Sequence, residues 1–238
     1  MFTSSGRTSR VANHPFEPHG RGFWIEDNVL SDRECDDLIE AARPSLQGRS
    51  RAGARHLMSI SAIGEAAKDE RLLRIARREL GEGAVPFRAT LFDKSARANW
   101  LVVWHQDTAL PLESRNDSAE WGPWSLKAGI LYARAPAWAL SRVLALRISL
   151  DASTGDNGPL RVIPGSHLAG VLSDNEILDL ARTQETVEAI VPRGGVLAMR
   201  PLLAHSSSKA RSGEPRRVLH IEYAESLDLG HGLRLAIA

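Results

Sequence analysis

The sequence predicts a mainly β protein with flanking helices, a sandwich or barrel that carries its principal helices early in the chain. Three observations lead there. Two stretches of helical apolar spacing lie before Gly81. From Pro86 onward the apolar runs are short, and Gly, Pro, Asn or Asp interrupts them at close intervals. No internal repeat divides the 238 residues, so one domain spanning 1–238 is expected, long enough to bury a sizeable core.

The elements follow in order. Residues 1–20 are Ser-, Thr-, Arg-, Gly- and Pro-rich with little to bury, which predicts a flexible arm. Phe23-Trp24-Ile25 predicts a short strand. Ser31-Asp32-Arg33-Glu34 has capping-box form and opens a helix. Cys35, Leu38, Ile39 and Ala42 form its apolar stripe, and Pro44 marks its expected end. Cys35 reads as a small buried hydrophobe. Arg49, Arg51, Arg55 and His56 form a basic loop, which is either a solvated loop or a greeting for an anionic substrate. The alternating Leu57-Met58-Ser59-Ile60 follows. A second helix is expected over Glu65–Leu80, with Gly81 as its stop.

Strands are then expected at Phe87–Lys94, Asn99–Asp107, Leu144–Asp151, Leu160–Ile163, Val187–Val191 and Arg217–Tyr223, with Val196–Arg200 leading toward His205. Turns are expected at 156–159 and 164–167, and a short helix at Ser173–Arg182. Residues 111–128 read as a long polar loop containing Trp121 and Trp124. A loop of that length is a lid, a binding loop or a disordered segment. Either it closes over a pocket or its tryptophans pack permanently on the wall.

The bulk numbers exclude several function classes. Lys plus Arg total 30 against 29 Asp plus Glu, a net charge of +1, so no global charge drives the chain toward nucleic acid or an anionic membrane. A single cysteine excludes an internal disulfide and a cysteine metal cage. Residues 1–13 lack the apolar core of a secretory signal, and no run approaches a membrane span. The expected location is cytoplasmic.

The chemistry centres on Trp104-His105-Gln106-Asp107. Side chains alternate along a strand, so His105 and Asp107 point the same way. They are either a hydrogen-bonded pair or two ligands of a metal whose third is His205. Two histidines and one carboxylate on one face of an iron, with other positions open, is the arrangement of non-haem Fe(II) oxygenases.

Four stretches resemble the phytanoyl-CoA dioxygenase family of Fe(II)- and 2-oxoglutarate-dependent oxygenases. They are Leu91-Phe92-Asp93-Lys94, Trp104-His105-Gln106-Asp107, the run from Asn157 to His167, and His205 with Arg216 eleven residues on. Their order and spacing agree over roughly residues 23–224. The resemblance implies a double-stranded β-helix, a cupin-like jelly roll. It implies Fe(II) held by His105, Asp107 and His205, and 2-oxoglutarate anchored by Arg216 with help from Ser207 and Thr90. Arg217 would take that part if the strand register were shifted by one. His167 ends a structural turn and is not a ligand in this reading. Lys94, Arg147 and His220 are inward-facing candidates without an assigned part. The implied reaction hydroxylates an unactivated C–H bond of a small molecule with O2, releasing succinate and CO2. The alternative is a metal-binding module of cupin type or a non-redox metal enzyme, which would need no anchor for a dicarboxylate.

Overall fold

The computed structural model describes residues 8–10, 18–46, 53–95, 99–116 and 118–238. Two sheets face one another. The larger is built from β2 (Phe23–Glu26), β3 (Gly53–Arg55), β4 (Val85–Lys94), β9 (Val143–Ser149), β12 (Val196–Met199) and β14 (Arg216–Ala224), in the order β2-β12-β9-β14-β4-β3. The smaller runs β1-β11-β10-β13-β5, with β1 Thr8–Arg10, β5 Val102–His105, β10 Leu160–Val162, β11 Thr186–Ala189 and β13 His205–Ser207. All pairings in the larger sheet are antiparallel. This is a double-stranded β-helix, the cupin-like jelly roll that the sequence predicts. Strand β1 lies parallel to β11, so this part of the expected arm is docked. The rest of the arm, 1–7 and 11–17, lies outside the described residues, as do Arg49 and Arg51.

The helices α2 (Asp32–Leu46), α3 (Ser61–Ala66) and α4 (Glu70–Leu80) cover the outer face of the larger sheet; α1 is the short turn Pro18–Arg21. Their buried side chains Cys35, Leu38, Ile39, Leu72 and Ile75 join Leu91, Leu146, Ile148, Leu219 and Tyr223 in one core. Both ends of the α2 capping box are made: Glu34 N donates to Ser31 Oγ, and Ser31 N donates to Glu34 Oε2 at 2.8 Å. Pro44 lies inside α2, which ends two residues beyond it. The helix expected over 65–80 is two. Asp69 accepts from Arg71 N and caps α4, and that local bond interrupts the apolar periodicity. Leu57–Ser59 is a single 3-10 turn, because His56 at φ 62° ends β3 in a left-handed conformation.

The long loop expected at 111–128 is largely structured. Strands β6 (Ala109–Leu112), β7 (Trp124–Lys127) and β8 (Ile130–Arg134) form a three-stranded sheet in the order β6-β8-β7. Trp121 is 5% exposed, lies edge-on to Trp138 beside α5 (Ala137–Leu140), and belongs to a second core. The apolar rings that argued for a lid are therefore packed on the wall. After α6 (Asp174–Thr183), which Ser173 opens with a second capping box, the chain closes with β11 to β14 and a small hairpin, β15 (Asp228–Gly230) with β16 (Leu233–Arg234). Among the described residues no helix is long and apolar enough to cross a membrane.

Candidate metal and co-substrate site

Strand pairing sets the first distance in the site. In the antiparallel β5–β13 pair His205 stands opposite His105, and their ring centroids are 4.2 Å apart. Asp107 lies just past β5, where the chain has left the strand. Its placement depends on Gln106. That buried amide donates to Gly170 O (2.9 Å) and Leu202 O (2.7 Å) and accepts from Leu172 N (2.9 Å), so it is fully used. Asp107 N donates to Pro201 O at 2.9 Å. These bonds tie the ligand turn to the segment leading into β13. Asp107 Oδ1 is 3.8 Å from His105 Nε2, and Oδ2 is 3.7 Å from His205 Nε2.

The two imidazoles are oriented alike. His105 Nδ1 is 2.9 Å from Val103 O and His205 Nδ1 is 2.8 Å from Leu203 O. A carbonyl only accepts, so each Nδ1 carries the proton and each Nε2 presents a lone pair. Both lone pairs and the carboxylate fall within 4.8 Å of one another. That is the donor set of an octahedral metal with open positions, with backbone carbonyls fixing the ring tautomers from behind. Burial pushes the His205 pKa down to about 4, so the ring is neutral and able to ligate at ordinary pH. Burial pushes the Asp107 carboxyl up, but attraction to the neighbouring His205, His220 and His105 rings and to Arg88 outweighs it and holds it below the usual range.

A set of buried cations lies deeper in the barrel. Arg216 and Lys94 face each other across the β14–β4 pair, both under 5% exposed. Lys94 Nζ donates to Ser207 Oγ (2.7 Å) and Ser208 O (2.5 Å). Arg216 Nη2 donates to Ser207 Oγ (3.2 Å) and its Nε to Asn157 O (3.3 Å). Ser207 Oγ in turn donates to Gly158 O at 2.8 Å. Gly158 has φ +69°, and a Cβ there would come within 2.4 Å of Ser208 O and 3.1 Å of Lys94 Nζ, so glycine is required. Arg147, also buried, donates from Nη1 to His220 Nδ1 at 3.0 Å. Among the described residues, none of Arg216, Lys94 and Arg147 has a carboxylate partner. Burial lowers Arg216 and Arg147 each to about 10, and burial with Arg216 nearby lowers Lys94 to about 8. Like charges directly opposite in a sheet are destabilising, and buried charges without counter-ions more so. The group that relieves this cost is an anion.

Five of the six residues singled out in the sequence thus fall into two adjacent clusters. His105, Asp107 and His205 meet at one point, and Arg216 and Ser207 meet at the other. Thr90 stands between His220 and Arg55 in the sheet and lines the cavity beside His105 and Asp107. Arg217, on the opposite face, makes a bidentate pair with Asp151 at 2.7 Å and is spent there. His167 lies in the 3-10 turn after Gly165 and is no part of the triad. The sequence reading did not single out Gln106, nor the buried pair of Arg88 with Glu222 behind His220. An amide between two candidate ligands was the one available signal for Gln106.

A family model for phytanoyl-CoA dioxygenase matches residues 19–218. The chain belongs to the phytanoyl-CoA dioxygenase family. It is therefore a non-haem iron, 2-oxoglutarate-dependent oxygenase, with Fe(II) and 2-oxoglutarate as cofactors. A comparison of the sequence with curated proteins finds no match. Solved structures share the fold at low identity. AviO1 from Streptomyces viridochromogenes Tue57 is 22% identical, with 87% of this chain and 91% of that one covered and a TM-score of 0.63. EctD from S. alaskensis, solved with 2-oxoglutarate and 5-hydroxyectoine, is 21% identical over 92% and 79% of the two chains, with a TM-score of 0.66. HygX from Streptomyces hygroscopicus, solved with nickel and 2-oxoglutarate, is 16% identical over 87% and 84%, with a TM-score of 0.61.

Proposed function

We propose that this oxygenase hydroxylates an unactivated C–H bond of a small molecule, with His105, Asp107 and His205 holding the iron and Arg216 holding the distal carboxylate of 2-oxoglutarate. The observation that carries the reading is the pairing of the two clusters: three convergent donors with fixed tautomers, beside buried cations that lack a counter-ion. A metal-binding module or a zinc hydrolase has no use for the second cluster. When bound, iron with 2-oxoglutarate and O2 supplies the oxidising chemistry, giving succinate, CO2 and an oxygen atom delivered to the substrate.

The chain's own residues do the rest. Arg216 presents a planar fork that suits a carboxylate and keeps its charge despite burial. Lys94 and Ser207 complete that grip. Arg147, held by His220 and lying between the clusters, adds positive charge on the side of the co-substrate nearer the metal. Val103 O and Leu203 O keep both Nε2 atoms unprotonated. Gln106 holds Asp107 in place. The carboxylate ligand leaves no vacancy for a halide on the metal, which favours hydroxylation over halogenation. SnoN, an epimerase with the same fold at 17% identity, shows that this architecture is compatible with a different outcome at the substrate.

The test is product analysis. Protein supplied with Fe(II), 2-oxoglutarate and 18O-labelled O2 is incubated with candidate substrates, and a hydroxylase incorporates one label into product. An unlabelled product of unchanged mass would instead mark an epimerisation.

A further inference from the structure

The cavity beside the metal triad contains cations that the reaction above does not use. It measures about 330 Å3 and is lined by Arg55, Thr90, Phe92, Lys127 and Tyr132, among others, together with His105 and Asp107. That volume sits at the low end of the ~300–1,000 Å3 typical of ligand pockets, so its occupant is small. Arg55 comes from β3, next to Thr90 in the sheet; Lys127 comes from the end of β7. Arg88 also lines it but is spent on Glu222 and on Ala109 O (3.0 Å). Arg55 and Lys127 have no carboxylate partner among the described residues.

Both cations are supported from behind. Lys127 Nζ stands 4.7 Å from the centroid of the buried Tyr132 ring. The Tyr132 hydroxyl is 2.9 Å from His56 Nε2, and the two rings stack at 5.9 Å. His56 directly follows Arg55 and holds φ 62°, a left-handed backbone that turns the chain sharply after Arg55. The bond and stacking of His56 with Tyr132 therefore fix the base of Arg55 against the hairpin that carries Lys127. Burial, then Arg55 and Arg88, pull the Lys127 pKa down, so these cations feel one another. Arg55 and Lys127 are both exposed to solvent, and together they set a positive potential at this cavity that attracts an anion.

Resting on the oxygenase reading, we propose that the prime substrate is a small anion. Arg55 and Lys127 hold its carboxylate or phosphate group while its reacting C–H bond faces His105 and Asp107. The co-substrate is not this anion, because its cradle, Arg216 with Lys94, does not line the cavity.

The test uses the full chain loaded anaerobically with Fe(II) and 2-oxoglutarate. Hexanoate, hexyl phosphate, hexanamide and hexylamine are titrated as probes by calorimetry. At least one anion should bind tighter than the amide and the amine by about tenfold or more. Which anion wins separates a carboxylate from a phosphate substrate. The Arg55→Gln/Lys127→Gln double variant should level the series without changing the affinity for 2-oxoglutarate, and Lys127→Arg should keep the preference. Equal or absent binding of all four probes would overturn the proposal. So would a double variant that weakens 2-oxoglutarate instead, since the cations would then serve the co-substrate. Failure of the oxygenase reading is seen separately, as wild-type protein that takes up neither iron nor 2-oxoglutarate.

Discussion

The two faces of strand β14 have opposite characters. Outward, Leu219, Ile221 and Tyr223 pack under the helices, and Arg217 is neutralised by Asp151 with Asp93 opposite it in the sheet. Inward, Arg216, His220 and Glu222 point into the barrel, and Arg216 stands opposite another cation, Lys94. Both faces are buried. The difference lies in what balances the charges. The outer face is complete by itself; inward, Glu222 is paired with Arg88, but Arg216 and the Lys94 opposite it have no carboxylate partner among the described residues. Side chains outside should therefore matter for stability, and those inside for binding.

Substitutions on the two faces separate these effects. The largest is expected at the metal: His105→Ala or His205→Ala should abolish iron uptake, read by metal analysis of the purified protein, while circular dichroism shows the fold retained. Next, Arg216→Ala should weaken 2-oxoglutarate binding by about 2–5 kcal/mol, the loss expected when one partner of a buried charge pair is removed. Arg217→Ala should leave that titration almost unchanged; the reverse ranking would show the register to be wrong. Leu219→Ala, on the outer face, should lose about 2–5 kcal/mol of stability in urea unfolding, with unaltered co-substrate affinity in the folded fraction. Trp121→Ala should destabilise similarly, because its ring is part of a core. Rapid proteolysis at Trp121 in the metal-free protein, with protection when the ligands are added, would restore the lid.

The smallest effect concerns pH. Lys94 has its pKa depressed to about 8 by burial and by Arg216. Below pH 8 it is charged in the free protein and ready for an anion. Above pH 8 it is neutral there and must take up a proton to grip the carboxylate. Affinity for 2-oxoglutarate should therefore fall as pH rises past about 8, with proton uptake on binding, and Lys94→Gln should flatten that dependence. The sign for stability is opposite. The unfolded lysine still binds its proton between pH 8 and its ordinary pKa near 10.5, so this group's penalty on the fold fades as pH rises through that window.

Much of this was legible in the sequence where local chemistry decides. The capping box at Ser31 is formed, and the short helix expected from Ser173 is present as Asp174–Thr183. The inward Arg216 with outward Arg217 follows from the period of a strand, whereas Asp107 has left β5 and reaches the side of His105 through the bonds of Gln106 and of its own amide. Less legible was anything set by distant partners. The run Val143–Ser149 is buried throughout, so alternation could mark Arg147 as facing apart from Leu146 but not that it faces a site. Lys94 and Arg147 acquire meaning only when β14 and β9 set them among other cations. Gln106 matters through Gly170, Leu172 and Leu202, all more than sixty residues away. The segment 111–128 looked like a loop because its strands are short, polar on one side and interrupted by turns. What holds it is the contact of Trp121 with Trp138 and the pairing with β8.

The central claim is that the convergent donors and the unbalanced cations form one site for iron and 2-oxoglutarate. Anaerobic titration of Fe(II) into protein with 2-oxoglutarate, followed in the visible region, tests it most directly. A weak charge-transfer band should grow to one iron and one co-substrate per chain. It should be absent in His205→Ala and shifted to much higher 2-oxoglutarate concentration in Arg216→Ala. Iron bound without a band, or a band that survives both substitutions unchanged, would contradict the account.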